Sequence, residues 1–354
     1  MDSSFGEDIY SSSTHFLLEL IQNADDNKYA GDITPTLALS YHDRLLRTDC
    51  NELGFTPEQV DAICHLGFSS KKNQAGSTGE KGVGFKSVFG VAASVWVASR
   101  DYTFKFDPSS RMGMLIPIWE EPPDGARHET TSMYLRFLPQ TDETNVFHDL
   151  DLVGGKVLTF LRRLRELQLH IELQSGTRIS YNVMRQDLIS ADGLPMTQLT
   201  FTGAKFPVPH RKAYVVCCYE INDMPQEKKR PRQYDSELQL AFPVDDSGQP
   251  VLESQDVYAV LPVRSYGFTV GEYTVVSITC SNLPSSYSKE TSSCPRAERK
   301  YHHQRSGITN YAQRFLTHLR QLSKISWRTG VPFPGLGFSR TWVSKKAFFN
   351  RLKI

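Results

Sequence analysis

Apolar residues recur at helical spacing near the start of the chain, in the segment 14–27. They fall on one face of a helix: Phe16, Leu17, Leu20, Ile21 and Ala24. Spacings of three and four residues are typical of an amphipathic helix, and the serines before this segment can cap its N-terminus. We therefore predict a helix over 14–27 with one buried face.

The pattern farther along the chain predicts a second helix and several strands. Thr56 is a good N-cap residue, and Pro57 suits the first helical position that follows it. Strands are predicted at "PTLALSYHD", "SVWVASRDYTFKFD" and "TSMYLRFLP", and alternation from about 171 to 268 predicts more of them. The segment 155–171, "GKVLTFLRRLRELQLHI", predicts a long helix. Together these elements predict helices layered on a sheet.

Residues 76–90, "GSTGEKGVGFKSVFG", place five glycines before an apolar stretch. Glycine permits positive φ and a close approach of the backbone to a ligand. A glycine-rich loop that leads into a helix N-terminus is a place where phosphate binds. The alternative is a flexible surface loop before an ordinary helix.

The first predicted helix also has a polar stripe. Glu19, Asn23 and Asp26 follow one another at spacings of four and three residues, so they share a side of the helix. This set suits a magnesium nucleotide site, because an amide oxygen can bind Mg²⁺ and a carboxylate can orient or deprotonate water. The alternative is a solvated helix face.

Composition is that of a soluble globular protein, with 354 residues, 39% hydrophobic and 22% charged. The sequence has no run of apolar residues long enough to span a membrane and no secretory signal at its start, so we expect an intracellular protein, cytoplasmic or nuclear. The six cysteines show no CxxC pair and no spacing typical of zinc ligands. We expect reduced thiols and no zinc.

Charge separates the last 86 residues from the rest. Residues 269–354 contain 14 Lys and Arg against three Asp and Glu, although the whole chain has a net charge of only +1. We expect this basic tail to be disordered or aberrant sequence. Basic tails also bind nucleic acid, and that partner stays open as an alternative that we do not favour.

The segments "HFLLELIQNADDN", "NELGFTPEQVDAIC", "SSKK" and "GEKGVGFKSVF" occur in the order found in the GHKL ATPases. The chain resembles this superfamily of histidine kinases and ninety-kilodalton heat-shock chaperones, and within it the NO VEIN-like family. The resemblance implies an α+β fold. It implies a Bergerat-type two-layer α/β sandwich that binds ATP in residues 1–170, then a partial α/β middle, transducer-like domain in 171–268.

The same resemblance implies roles for particular residues. Glu19 matches the general base and Asn23 the magnesium ligand, with Asp26 nearby. Further residues match cofactor-binding positions of the glycine box, the mobile lid and the adenine pocket: Gly79, Lys81, Gly82, Gly84 and Phe85 in the box, Lys71 in the lid, and Thr131 at the adenine-bound water.

The adenine-reading segment departs from the superfamily. Most members have D-x-G-x-G, whereas this chain has "DCNELGF" and keeps only Gly54. Asn51 or Asp49 must then accept a hydrogen bond from the adenine amino group. An alternative explanation is that this segment is a strand end and a helix entry.

The resemblance predicts an ATPase with ATP and Mg²⁺ as cofactors. Hydrolysis is expected to drive lid closure in a chaperone-like or molecular-clamp role toward a protein client that the sequence does not identify. The alternative is a nucleotide-binding or protein-interaction module that has lost hydrolysis.

Overall fold

The structure is a computed structural model, and it describes residues 15–64, 84–126, 129–190, 193–221, 236–248, 251, 256–259 and 261–265. Its helices are α1 (His15–Asp26), α2 (Pro57–Cys64) and α3 (Glu143–Val153), with 3₁₀ helices at Phe85–Gly90 and Gly154–Phe160. Its strands are β1 (Thr36–His42), β2 (Leu45–Cys50), β3 (Ala92–Ser99), β4 (Tyr102–Phe106), β5 (Thr131–Phe137), β6 (Glu166–Glu172), β7 (Arg178–Ile189), β8 (Pro195–Gly203), β9 (Phe206–Ile221), β10 (Ser236–Val244), β11 (Asp256–Ala259) and β12 (Leu261–Ser265).

Ten of the strands form one mixed sheet in the order β10-β9-β8-β7-β6-β1-β2-β5-β3-β4. The pair β1 and β6 is parallel, and the other described neighbours in this sheet are antiparallel. The α+β class expected from the sequence is therefore confirmed. The expected domain boundary at 170/171 falls inside β6, so strands on both sides of it belong to one sheet.

One face of the sheet forms the main core with the helices. Burial alternates along β1 and β2, and the same face includes Leu37, Leu39, Tyr41, Leu46, Thr48 and Cys50. Apolar residues of α1, α3 and the second 3₁₀ helix pack in the same hydrophobic cluster. Because side chains of a strand alternate between faces, Asp49 and its neighbours in register lie on the other face.

Both N-terminal helices form for the reasons that the sequence indicates. In α1 the predicted apolar face is buried, and Leu17 and Ile21 are fully inaccessible. In α2 the backbone N–H of Thr56 donates to Oε1 of Gln59 at 2.8 Å, which satisfies a donor at the start of the helix. The predictions for these two helices are confirmed.

The predicted long helix over 155–171 is wrong. The chain forms a 3₁₀ helix only to Phe160, and β6 begins at Glu166. The residues of β6 alternate between buried and exposed sides, a pattern of period two that suits a strand better than a helix. Between the two elements lies a short segment, residues 161–165, here named the connector.

A buried carboxylate holds the connector in its non-helical course. Asp25, near the end of α1, is 2% exposed, and its two oxygens accept hydrogen bonds from the backbone N–H groups of residues 162, 163 and 164 at 2.7–2.9 Å. Those N–H groups would otherwise bond within a helix. The first helix therefore determines where the connector ends and β6 starts.

Arg185 of β7 binds carbonyl groups of the same region. Its guanidinium is buried and donates to the carbonyl oxygens of Leu158 at 2.8 Å and Leu161 at 2.6 Å. The same guanidinium forms an ion pair with Asp187, with Nε 2.8 Å from Oδ1. Thus a carboxylate holds the N–H groups of this region while a guanidinium holds its carbonyl groups.

Replacing Asp25 is expected to destabilise the fold strongly. Asp25→Ala removes the acceptor for three backbone N–H groups at once, and each unsatisfied buried donor costs about 1–3 kcal/mol. We expect the free energy of unfolding, measured by urea denaturation, to fall by roughly 3–5 kcal/mol. Asp32→Ala, at an exposed position in the following turn, is the matched control and should change it by less than about 0.5 kcal/mol. Equal effects of the two substitutions would contradict the role of Asp25.

Candidate functional site

The structure brings Glu19 of α1 against Gly84, the glycine directly before the first 3₁₀ helix. A Cβ atom at Gly84 would overlap Oε2 of Glu19 and lie 3.1 Å from its Cδ. Gly84 has helical φ and ψ of −57° and −49°, so its backbone conformation does not itself require glycine. A side chain here would instead displace the carboxylate of Glu19, the flexible end of its side chain.

The carboxylate of Glu19 is partly accessible. The side chain is 24% exposed, and Oε1 lies 3.9 Å from Nδ1 of His15, one helical turn earlier. The carboxylate is therefore within reach of solvent while it lies against the backbone of Gly84. Its position agrees with the stripe predicted from the sequence.

Asn23 and Asp26 continue the stripe toward the end of α1. Asn23 is half-buried and lies one turn after Glu19. Asp26 is 9% exposed, and its backbone carbonyl accepts a hydrogen bond from Nη1 of Arg163 at 3.3 Å. Asp26 thus lies where α1 meets the connector, whereas Asn23 lies nearer to the Glu19–Gly84 contact.

The first 3₁₀ helix is held by aromatic packing and by one lysine. The ring of Phe85 packs edge-on against Phe89 and tilted against Phe106, each with centroids 5.9 Å apart. Lys86 donates to the carbonyl oxygens of Ile63, at 2.7 Å, and Met114. Phe85, predicted as a cofactor-binding residue, therefore belongs to the packing that positions Gly84.

The two candidate adenine acceptors do not lie beside Glu19. Asp49 is on the opposite face of the sheet from α1, where Oδ2 accepts from Nε of Arg47 at 2.8 Å and Oδ1 from Oγ of Ser132 at 2.6 Å. Asn51 accepts from the backbone N–H of Thr36 and donates to the carbonyl of Thr34, both at 2.8 Å. These bonds join the end of β2 to the start of β1.

Gly54 and Thr131 hold the segment that leads into α2. Gly54 has φ of +84°, a conformation that favours glycine, so its retention in "NELGF" has a conformational reason. Thr131 is buried, and its hydroxyl lies 2.6 Å from Oγ of Ser99, which accepts from the backbone N–H of Phe55 at 2.9 Å. Thr131 is the first residue of β5 and pairs with Cys50, the last residue of β2, and Gly54 follows four residues after Cys50.

Sequence reasoning missed a thiol and a phenol at this end of β2. Cys50 faces α1, with Sγ 3.2 Å from the hydroxyl of Tyr29, which donates to the carbonyl of Ala24 at 2.7 Å. Burial raises the pKa of Cys50 to about 11 and raises that of Tyr29 further above its ordinary value. Both groups are therefore neutral near pH 7. The alternation Leu46, Thr48, Cys50 was the signal that could have placed this thiol.

Several predicted positions lie outside the described residues: Lys71, Gly79, Lys81 and Gly82, together with the basic tail. Among the residues that the structure describes, no group of three or more His, Cys, Asp or Glu side chains is arranged to hold a metal ion. Cys50, Cys64 and Cys217 are free thiols, whereas Cys218 forms a disulfide, so the expectation of reduced thiols is wrong for Cys218. None of the described helices has the length and apolar character of a membrane span.

The described residues fit one part of a magnesium nucleotide site. The carboxylate of Glu19 occupies the space that a Cβ atom at residue 84 would take, and Asn23 lies one turn farther along α1. The base-binding part fits less well, because Asp49 and Asn51 are engaged in structural hydrogen bonds. The fit is therefore limited to Glu19, an acid that can orient water, and Asn23, an amide that can bind Mg²⁺.

Fold and site together define an α+β protein whose first helix places an acid against the end of a glycine-rich segment. The chain matches no family model. A stretch of 119 residues, 33% of the chain, is 43% identical to Protein NO VEIN of Arabidopsis thaliana. The stretch corresponds to 4% of the length of that protein. This partial match supports a NO VEIN-like relationship for that part of the chain.

Lys86 is expected to make stability depend on pH. Burial lowers its pKa from 10.5 to about 8 in the folded chain. Between these values the unfolded chain binds the proton more strongly, so stability should rise as pH increases. We expect the urea midpoint of the wild type to increase, relative to the midpoint of Lys86→Met, as the pH is raised from 8 to 10. A constant difference over this range would contradict the assignment.

Proposed function

We propose that the chain is an ATP-binding protein of the GHKL class, with a Bergerat-type ATPase domain in its first lobe. In this proposal Mg²⁺-dependent ATP hydrolysis drives closure of a lid in a chaperone-like or molecular-clamp role. The observation on which the proposal rests is the contact of Glu19 with Gly84. It joins the acid of α1 to the end of the glycine-rich segment, as a phosphate site with an adjacent base requires.

Each residue has a distinct role in this proposal. Glycine at position 84 lets the Glu19 carboxylate lie against the backbone, which places the acid beside the end of the glycine-rich segment where the terminal phosphate would bind. Glu19 orients the attacking water and accepts its proton at a carboxylate oxygen. Asn23 offers its amide oxygen to the cation. Bound Mg²⁺ would neutralise phosphate charge and polarise the phosphoryl group.

Two further observations support the class. The helices pack on one face of a mixed sheet, which is the two-layer arrangement that the proposed fold requires. The 119-residue match to Protein NO VEIN agrees with the branch that the sequence motifs resemble. Base recognition is not assigned to Asp49, since that carboxylate lies on the other face of the sheet.

Substitutions at Glu19 and Asn23 separate binding from hydrolysis. Titration of the full chain with a labelled ATP analogue should show Mg²⁺-dependent binding, with a dissociation constant of roughly micromolar to millimolar, the range usual for enzyme substrates. Glu19→Ala should keep this affinity within about threefold and remove turnover, because the base does not hold the nucleotide. Asn23→Ala should lose Mg²⁺-dependent binding as well.

The results also distinguish the proposed ATPase from its alternative. Loss of all binding in Glu19→Ala, with the variant still folded, would show that Glu19 is not the general base. Mg²⁺-dependent binding without turnover in the wild type would favour the hydrolysis-deficient nucleotide-binding or interaction module. No Mg²⁺-dependent signal at millimolar ligand would contradict both.

A methyl group at Gly84 tests the contact itself. Gly84→Ala introduces no backbone strain, but its Cβ atom displaces the Glu19 carboxylate. Because that side chain is flexible, we expect unfolding free energy to change by less than about 1.5 kcal/mol. Turnover of ATP should fall by at least about tenfold, since a misplaced base loses much of its effect.

Gly90→Ala is the matched control for this experiment. Gly90 ends the same 3₁₀ helix, and a Cβ atom there would meet no atom within 4 Å. The control should therefore keep the wild-type turnover. Equal turnover in Gly84→Ala and Gly90→Ala would show that the glycine beside Glu19 has no part in the reaction.

A further inference from the structure

A shallow pocket lies at the opposite end of α1 from the contact between Glu19 and Gly84. Its volume is about 510 Å³, and it is lined by Lys28, Tyr29, Pro35, Leu53, Arg162, Arg163 and Arg165. We call it the basic pocket. From Glu19 to Asp26 the helix advances roughly 10 Å, so the basic pocket lies about two helical turns from the contact between Glu19 and Gly84.

The basic pocket has an excess of positive charge. Four of its seven lining residues are cationic, and no carboxylate lines it in the part of the chain that the structure describes. The nearby carboxylate of Asp25 already accepts three backbone hydrogen bonds. Asp187 lies 3.6 Å from Nη2 of Arg165 but is also bound to Arg185, so it serves two guanidinium groups.

The arginines of the pocket are held in place by their surroundings. Asp25 fixes the backbone of the connector, from which the side chains of residues 162, 163 and 165 extend. Nη1 of Arg163 donates to the carbonyl of Asp26 at 3.3 Å, and Nη1 of Arg165 donates to the carbonyl of Arg162 at 3.0 Å. Such preorganisation lowers the entropy cost of binding an anion.

The remaining lining residues form an apolar and aromatic wall. They are Tyr29, Pro35 and Leu53, and Leu53 is 45% exposed. A volume of about 510 Å³ falls in the range of small-molecule sites, which combine apolar walls with a few charged groups. The cavity therefore has the size of a site for one small anion.

We propose that the basic pocket binds a small anion with two or more phosphate groups. Guanidinium groups bind phosphate oxygens through paired hydrogen bonds, and an adjacent ammonium adds a point charge. Four cations around one cavity match the several charges of a polyphosphate better than the single charge of a carboxylate. Neither Glu19 nor Asn23, on which the proposed hydrolysis rests, lines the basic pocket.

The test is calorimetric titration of the full chain with inorganic tripolyphosphate in the absence of Mg²⁺. Lys28 is exposed, so Lys28→Gln should weaken binding by roughly three- to tenfold without unfolding the chain. Adding Arg163→Gln should weaken it further, to at least about tenfold overall. Arg211→Gln, at an exposed position of β9 away from the cavity, is the control and should leave binding unchanged.

Several results with other anions or variants would contradict the proposal. Citrate binding as tightly as tripolyphosphate would show a patch that attracts any anion. Loss of tripolyphosphate binding in Asn23→Ala would place the probe in the nucleotide site instead. Binding that is unchanged in the double variant Lys28→Gln/Arg163→Gln, or equally weakened in Arg211→Gln, would also overturn the proposal.

Discussion

The buried carboxylate of Asp25 is the interaction on which the arrangement of the sheet depends. By accepting three N–H groups of the connector, it stops helical structure before β6 and directs the chain back toward β1. The next backbone N–H groups, of Arg165 and Glu166, then donate to the carbonyl of Pro35 at 2.9 and 3.1 Å. Those bonds begin the parallel pairing of β6 with β1. A single acid thus links the first helix to the centre of the sheet.

The two ends of the first helix consequently make different kinds of contact. Near its start, Glu19 lies against the backbone of Gly84 with its side chain partly exposed. Near its end, Asp25 is buried and makes structural hydrogen bonds, and Arg163 donates to the last carbonyl groups of the helix. Cationic groups at a helix C-terminus are favourable, because the helix dipole is negative there. The partly exposed acid at one end is therefore accompanied by structural anchoring at the other.

Local signals in the sequence predicted much of this fold. Apolar spacing and capping residues located α1 and α2, and alternation located β1, β3, β4 and β5, because these patterns reflect contacts within each element. The helix predicted over 155–171 failed because a distant acid, Asp25, takes the N–H groups that such a helix would use. The sequence placed Glu19 and Asn23 on one stripe. It could not show that Asp49 lies on the opposite face, since strand register depends on pairing with Ser132.

The ten-stranded sheet passes through the boundary expected between the two lobes. β6 pairs with β1 on one side and with β7 on the other, so six residues of β6, 166–171, have a partner strand on both sides. A fragment that ends at residue 170 would cut β6 and remove its partner β7. The remaining strand would present unpaired N–H and C=O groups to solvent, and such open edges join with one another between molecules. Aggregation of a shortened first lobe would then reflect a missing neighbour strand rather than an unstable core.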